Sequence, residues 1–270
     1  MADPPIDAAT LRNTPYNSTR GVRAQAGLMR RTFRNWIRLS ALRKLASLTG
    51  WRWVLDRPLR IETRAGDRLE ARCRDMDGAI DVFGEGAYDL NFLDWGSVAT
   101  VLDVGAQIGD FTVWVARRAP CRVYAVEPNP ETYAFLERNV RAAGLQARVR
   151  LEAVALAGRP GRRRLQLAPI SSSSALGEVG IEVEAVDLAG LVRRSGFEAI
   201  DLLKVDIEGA EYEVFAEVPD EVFRQVRSLI VECHPHPAAD RQALRSRFRQ
   251  LGYRVAEEQF LRQGTLMAWR

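Results

Sequence analysis

The sequence predicts a doubly wound α/β domain, and three features of the chain carry that prediction. From Val98 onward, strand-length apolar runs alternate with segments whose apolar residues recur at helical spacing. Several of those runs are apolar at consecutive positions rather than at every second one, as in strands covered on both faces. The first run ends in a glycine-containing turn, Gly105 to Gly109, that leads straight into a helix.

The elements follow in order. Val98–Val104 reads as a buried strand, followed by a helix to about Arg118. Arg122–Val126 is the second strand. Asn129 suits a helix cap, Pro130 the first helical position and Glu131 the positive end of the helix dipole. Leu136, Val140 and Ala143 share one face of that helix, and Gly144 closes it. Val149–Ala155 reads as a third strand and Ile181–Val186 as another, with Asp187 capping a short helix. Ile200–Val205 and Ser228–Glu232 are further buried strands. A helix over 239–251 and two closing strands, Tyr253–Glu257 and Leu266–Trp269, complete the domain. No internal repeat is found.

Upstream, residues 1–19 are polar and read as a flexible N-terminus. Residues 20–55 form a basic arm in which Arg30, Arg31, Arg34 and Arg38 interleave with Met29, Phe33, Trp36 and Ile37. Two readings of that amphipathic pattern stay open: attachment to an anionic membrane surface or nucleic acid through residues 20–50, or a helix packed on the core with solvated arginines. Residues 56–97 read as a lead-in layer of strands and turns, with turn signals at Gly66-Asp67 and Asp77-Gly78. Residues 98–270 are the α/β domain.

The chain has 270 residues, is 47% hydrophobic and carries a formal charge of +4. That composition supports a folded core and excludes global disorder. No run approaches the about 18 apolar residues of a membrane span. The first residues lack the apolar core of a secretory signal, so a cytoplasmic location is expected. Cys73, Cys121 and Cys233 are odd in number and widely spaced, and read as buried free thiols.

Four motifs carry chemistry. In Asp103-Val-Gly-Ala-Gln-Ile-Gly109 the glycines are spaced G-x-x-x-G, not the G-x-G-x-x-G that cradles a pyrophosphate. Asp103 would repel a pyrophosphate and attract an ammonium. Glu127, at the end of the next strand before Pro128, suits the hydroxyls of a ribose. Together they point to S-adenosyl-L-methionine. In Lys204-Val-Asp-Ile-Glu-Gly-Ala-Glu211, Lys204, Asp206 and Glu208 fall at alternate positions at the end of a buried strand, where ionisable groups must be paired or functional. Lys204 is one of only two lysines, beside Lys44, in an arginine-using chain. The fourth motif, Val231-Glu-Cys-His-Pro-His236, holds both histidines of the protein. Asp206, Glu232, His234 and His236 fit no standard metal spacing, and no metal is expected.

With those motifs, the chain from about Asp77 to its end resembles the FkbM family of methyltransferases. The matching pieces are Asp103–Gly109, Glu127-Pro128, the Ala155–Gly161 turn, the serine run Ser171–Ser174 before Ala175-Leu176, Lys204–Glu211 and Val231–His234. Gln107 stands where the family usually has asparagine. The basic arm is not part of the resemblance. The resemblance implies a mostly parallel, seven-stranded, Rossmann-like sheet whose last strand is antiparallel. It also implies O-methylation of hydroxyls on sugars, polyketides or other secondary metabolites.

Methyl transfer to an alcohol needs alignment and a proton acceptor. The expected cofactor residues are Asp103, Gly105, Ala106, Gln107 and Gly109 at the methionine end, Glu127 and Pro128 at the ribose, Ala155 beside the adenine and Asp206 near the methyl group. The expected catalytic residues are Asp206, Lys204 and either His234 or Glu208 as base. The acceptor is expected to be a small molecule or glycan, not a nucleic acid. Val205-Asp-Ile-Glu208 lacks the Pro-Pro-aromatic signature of amino-methylating enzymes, and no Pro-Cys stands at that strand. A macromolecule methyltransferase using the basic arm, or a non-catalytic adenosyl-binding protein, is the alternative.

Overall fold

The computed structural model describes residues 55–62, 66, 68–85, 88, 92–168, 173–235, 240–260 and 263–270. The expected flexible N-terminus, the basic arm apart from Leu55, and His236 lie outside them.

The chain enters through a hairpin of β1 (Pro58–Glu62) and β2 (Arg68–Arg72), then a short helix α1 (Asp77–Ile80). The α/β domain begins with β3 (Thr100–Val104), α2 (Asp110–Arg118), β4 (Arg122–Val126), α3 (Pro130–Ala142) and β5 (Val149–Glu152). Then come four strands, β6 (Ala155–Leu156), β7 (Gly161–Gln166), β8 (Ala175–Gly177) and β9 (Ile181–Val186). The chain returns through α4 (Leu188–Ser195), β10 (Ile200–Val205), α5 (Glu211–Glu217), α6 (Asp220–Phe223), β11 (Val226–Cys233), α7 (Arg241–Gln250), β12 (Arg254–Phe260) and β13 (Gln263–Trp269).

Seven strands form the central sheet, in the order β12-β13-β11-β10-β3-β4-β5. The pairs from β11 through β10, β3 and β4 to β5 are parallel, whereas β13 is antiparallel to both β11 and β12. The chain runs outward from β3 to β5, then restarts at β10 on the other side of β3. That switch leaves a crevice at the carboxyl ends of β3 and β10, where open α/β sheets bind ligands.

Helices cover both faces. Leu102, Val104, Leu203 and Val205 pack with Leu188 and Leu191 of α4, Phe215 of α5, Phe223 of α6 and Phe248 of α7. Val101, Val123, Ala125 and Leu202 pack on the opposite face with Phe111 of α2, Leu136 of α3, and Leu69 and Ala71 of β2. Asn139 stitches that hairpin to the domain: its amide accepts from Glu70 N and donates to Glu70 O and Ile108 O, at 2.6, 2.9 and 2.8 Å. A side chain thus completes main-chain pairing that β2 lacks on its outer edge. Helix caps follow the expected chemistry. The Asn129 side chain accepts from Glu131 N, and the Asp187 side chain from Gly190 N.

Three expectations need correction. The third strand is not continuous to Ala155: β5 stops at Glu152, and Ala155-Leu156 leaves for a separate sheet of order β6-β9-β7-β8. Ile181–Val186 belongs to that second sheet, not the first. Its strand β7 (sequence GRRRLQ) lacks a buried-strand pattern in the sequence because Leu165 is its one buried side chain and three arginines precede it. Asp77-Gly78 is the start of α1 rather than a turn. A Cβ on Gly78 would stand 2.3 Å from Asp110 Oδ2, so glycine serves the close approach of α1 to the Gly105–Gly109 loop. The three cysteines are buried and free. No described helix is long and apolar enough to cross a membrane.

Candidate active site

The loop after β3 is shaped by its backbone. Gly105 takes φ +78, and a Cβ there would fall 1.7 Å from the carbonyl oxygen of Asp206. Only glycine lets the ends of β3 and β10 lie this close. Gly109 takes φ +86 beside Leu136 and opens α2. Gln107 is left-handed at φ +50, an uncommon state for a residue with a side chain. Glu127 helps to hold it there: Gln107 N donates to Glu127 Oε2 at 2.9 Å. Glu127 Oε1 accepts from Asn129 N and Thr132 Oγ1. A carboxylate offers about four acceptor positions, so Glu127 keeps one open rather than the pair that two ribose hydroxyls would need. Burial raises its pKa to about 7.

Three buried polar atoms of this loop have no hydrogen-bond partner among the described residues: Asp103 Oδ1, Gln107 Nε2 and Asp110 Oδ2. Buried atoms left in this condition are costly unless a ligand completes them. Asp103 accepts a short hydrogen bond from Thr112 Oγ1, and burial raises its carboxyl above the ordinary range. Asp110 is raised by burial to about 6.

Lys204 binds the two halves of the site together. Register pairs it with Asp103 across β10 and β3. Its Nζ donates to Gly105 O at 2.9 Å and to Asp206 Oδ2 at 3.3 Å, and lies 3.7 Å from Asp103 Oδ1. Burial alone would lower its pKa, but the negative charge of Asp206 and Asp103 holds it well above the usual lysine value.

Beyond β10 the chain makes a tight turn in which Glu208 takes φ +59. Such strain persists where surrounding bonds fix it, and it clusters at functional sites. Here the fixing group is Glu211, fully buried, which accepts from Ile207 N at 3.2 Å and Gly209 N at 2.9 Å. Glu211 also meets His234 Nδ1 at 2.8 Å. His234, 5% exposed, thereby points Nε2 at three carboxylates: Glu208 Oε2 at 3.1 Å, Asp206 Oδ1 at 3.8 Å and Glu232 Oε1 at 3.9 Å. Nε2 is buried and ion-pairs with Glu208 without completing a hydrogen bond. Burial works against protonation of His234, but Glu208 and Glu211 outweigh it and push the imidazole up to about 11. Asp206 and burial together push Glu232 up to about 8.

The structure therefore gathers Asp103, Gly105, Ala106, Gln107, Gly109, Glu127, Lys204, Asp206, Glu208 and His234 around the carboxyl ends of β3, β4, β10 and β11. Ala155 is different. It is buried in the core of the small sheet, beyond the end of β5. Ser171 and Ser172 lie outside the described residues, and Ser174 Oγ accepts from Ala168 N. Three participants escaped sequence reasoning. Asp110 directly follows the glycine loop, and Glu211 closes the third motif. Tyr88, from the lead-in segment, packs its ring tilted against Phe111, with centroids 4.6 Å apart, and stands among Lys204, Asp206, Glu232 and Asp110. No periodicity marks Tyr88 in the sequence.

A family model described as the methyltransferase FkbM domain matches residues 103–255, the span that contains this whole site except Tyr88. The chain belongs to the FkbM methyltransferase family. The methyltransferase sdnD of Sordaria araneosa is 29% identical over 188 residues, 56% of this chain and 72% of that protein. The 31-O-demethyl-FK506 methyltransferase FkbM of Streptomyces tacrolimicus is 28% identical over 173 residues, 50% of this chain and 65% of its own length. Among solved structures, an O-methyltransferase family protein from Burkholderia thailandensis aligns over 94% of this chain and 73% of its own, at 17% identity and a TM-score of 0.46.

FkbM methyltransferases use S-adenosylmethionine, and the loop here fits that group. The unpartnered Asp103 Oδ1 and Asp110 Oδ2 offer acceptors to an ammonium, Gln107 Nε2 offers a donor, and the Gly105 backbone leaves room for close approach.

Proposed function

We propose that this FkbM methyltransferase methylates a hydroxyl of a small molecule or glycan, of the sugar, polyketide or secondary-metabolite class. The observation that supports this most is the carboxylate and imidazole cluster directly beside the cofactor loop, joined to it by Lys204. An alcohol is barely ionised at neutral pH and needs a positioned proton acceptor, and the cluster supplies candidates. The Streptomyces tacrolimicus relative, a 31-O-demethyl-FK506 methyltransferase, is named for methyl transfer to an oxygen.

When bound, the cofactor supplies a sulfonium methyl group open to in-line attack. Asp103, Gly105, Ala106, Gln107 and Gly109 hold its amino-acid end, and the open acceptor position of Glu127 takes a ribose hydroxyl beside Pro128. Asp206 and Lys204 stand at the junction of cofactor and acceptor. Glu208 is the base. His234, driven toward its protonated form by its neighbours, is poorly suited to take a further proton. It steadies Glu208 and the anionic acceptor instead. Glu208 would take the proton of the acceptor hydroxyl, whose oxygen would receive the methyl group that the bound cofactor supplies.

The test is a methyl-transfer screen with S-adenosylmethionine against hydroxylated glycans and metabolites, scored for S-adenosylhomocysteine release. Methyl ether formation supports the reading. Methylation on nitrogen, or of nucleic acid alone, contradicts it.

A further inference from the structure

The cluster at the ends of β10 and β11 crowds four carboxyl groups around one imidazole. Val205 pairs with Val231 in register, so Asp206 and Glu232 occupy the next rung of two adjacent parallel strands. Like charges side by side on neighbouring strands are unfavourable. His234 follows two residues later and, as strand alternation dictates, reaches the same face. Asp103, Asp110, Asp206, Glu208, Glu211 and Glu232 supply six carboxyl groups around two basic groups, Lys204 and His234.

We propose that Asp206, Glu232 and His234 form a binding site for a divalent cation, which holds the acceptor's oxygen beside the cofactor. One ligand atom from each of the three lies within 4.8 Å of the others, a spread that one ion can span after small side-chain adjustments. His234 Nε2, buried and without a hydrogen bond, faces the two carboxylates, and a bound ion would take the place of the proton that this nitrogen carries in the empty site. Its Nδ1 is fixed by Glu211 at 2.8 Å, the carboxylate–imidazole pairing that orients metal-ligating histidines. Glu208, 3.1 Å from Nε2, stands beside the ion as a further oxygen donor or as the base for an ion-bound hydroxyl. Two carboxylates and one imidazole, without thiolate, suit Mn2+ or Mg2+ better than a structural zinc. The linear spacing of these residues gave no metal signature because the site is assembled across two strands.

The role given to the ion rests on the proposed O-methylation, but the ion's binding does not. The experiment titrates Mn2+ into the chelator-treated full chain and follows loss of the free-ion electron paramagnetic resonance signal. One saturable ion per chain is expected. Glu232→Gln and His234→Gln each weaken it by at least about tenfold, as losing a ligand should. Glu217→Gln, on the exposed side of α5, leaves it unchanged. Glu232→Asp, which keeps the charge, recovers part of the loss, so the test stands even if His234→Gln fails to fold. No saturable binding by the wild type, or equal binding by Glu232→Gln, overturns the site and leaves the imidazolium as the cluster's counter-charge. Calorimetry with S-adenosylmethionine on the same samples separates the two claims. Mn2+ binding without cofactor binding sinks the proposed function alone, and cofactor binding without Mn2+ binding sinks the cation site alone.

Discussion

The cofactor loop and the cluster proposed to handle the acceptor meet at Lys204, yet they are built on opposite principles. On the cofactor side, backbone geometry does the work. Gly105 and Gly109 shape the turn, and Glu127 spends three of its acceptor positions on Gln107, Asn129 and Thr132. On the acceptor side, charge does the work. Asp206, Glu208, Glu211 and Glu232 crowd one imidazole, and the strain at Glu208 is held by hydrogen bonds to Glu211. Cofactor recognition tolerates a fixed mould because its ligand never varies. Proton handling instead needs groups whose charge can change.

If that division is right, damage on the two sides should look different. The largest effect is expected at the acceptor side: Glu208→Gln keeps the fold and lowers kcat by about 100- to 10,000-fold, the range for losing a positioned base. A variant within about threefold of wild type would return the base assignment to His234. On the cofactor side, the damage should be structural. Gly105→Ala drives a methyl into the Asp206 carbonyl and should cost about 3 kcal/mol in denaturant unfolding, from overpacking and positive φ together. Gly144→Ala, also at positive φ but with open space around it, should cost only about 1 kcal/mol. Equal losses at the two positions would show that the contact with β10 does not constrain the loop.

The smallest effect sharpens the comparison through pH. Burial raises Glu127 from its ordinary 4.5 to about 7, so the free folded chain holds an extra proton between those values. Its contribution to folding stability therefore declines as pH rises through that window. Cofactor binding has the opposite sign, because a ribose hydroxyl donates to the ionised form. Affinity for S-adenosylhomocysteine should be flat above pH 7 and fall about tenfold per pH unit below it. A flat profile from pH 5.5 to 8 would remove Glu127 from the ribose.

The same contrast decides what could be read from the sequence. The cofactor loop is local: one strand, one turn and one helix carry Asp103 through Gly109, and the next strand end carries Glu127. The helix caps at Asn129 and Asp187 are local too. The acceptor cluster is only half local. Lys204, Asp206, Glu208 and His234 stand out as ionisable residues after buried runs, but nothing in one dimension places Glu232 beside Asp206. That adjacency comes from the β10–β11 register. Tyr88 reaches the site from a segment without periodic pattern. The small sheet was missed for another reason. Its strands pack on one face only, so β7 shows arginines where a buried run would show valines. Ala155 was misplaced with it, because an apolar stretch does not show where a chain leaves one sheet for another.

The most direct measurement is calorimetric titration of S-adenosylmethionine into wild type, Glu127→Gln and Glu232→Gln in parallel at pH 8. Division of labour between a cofactor mould and a charged acceptor cluster predicts a one-to-one complex with wild type. It predicts binding about 10- to 100-fold weaker in Glu127→Gln, the worth of a charge-assisted hydrogen bond, and within about threefold of wild type in Glu232→Gln. Equal weakening in both variants would contradict the division, and no binding by wild type would contradict the cofactor site itself.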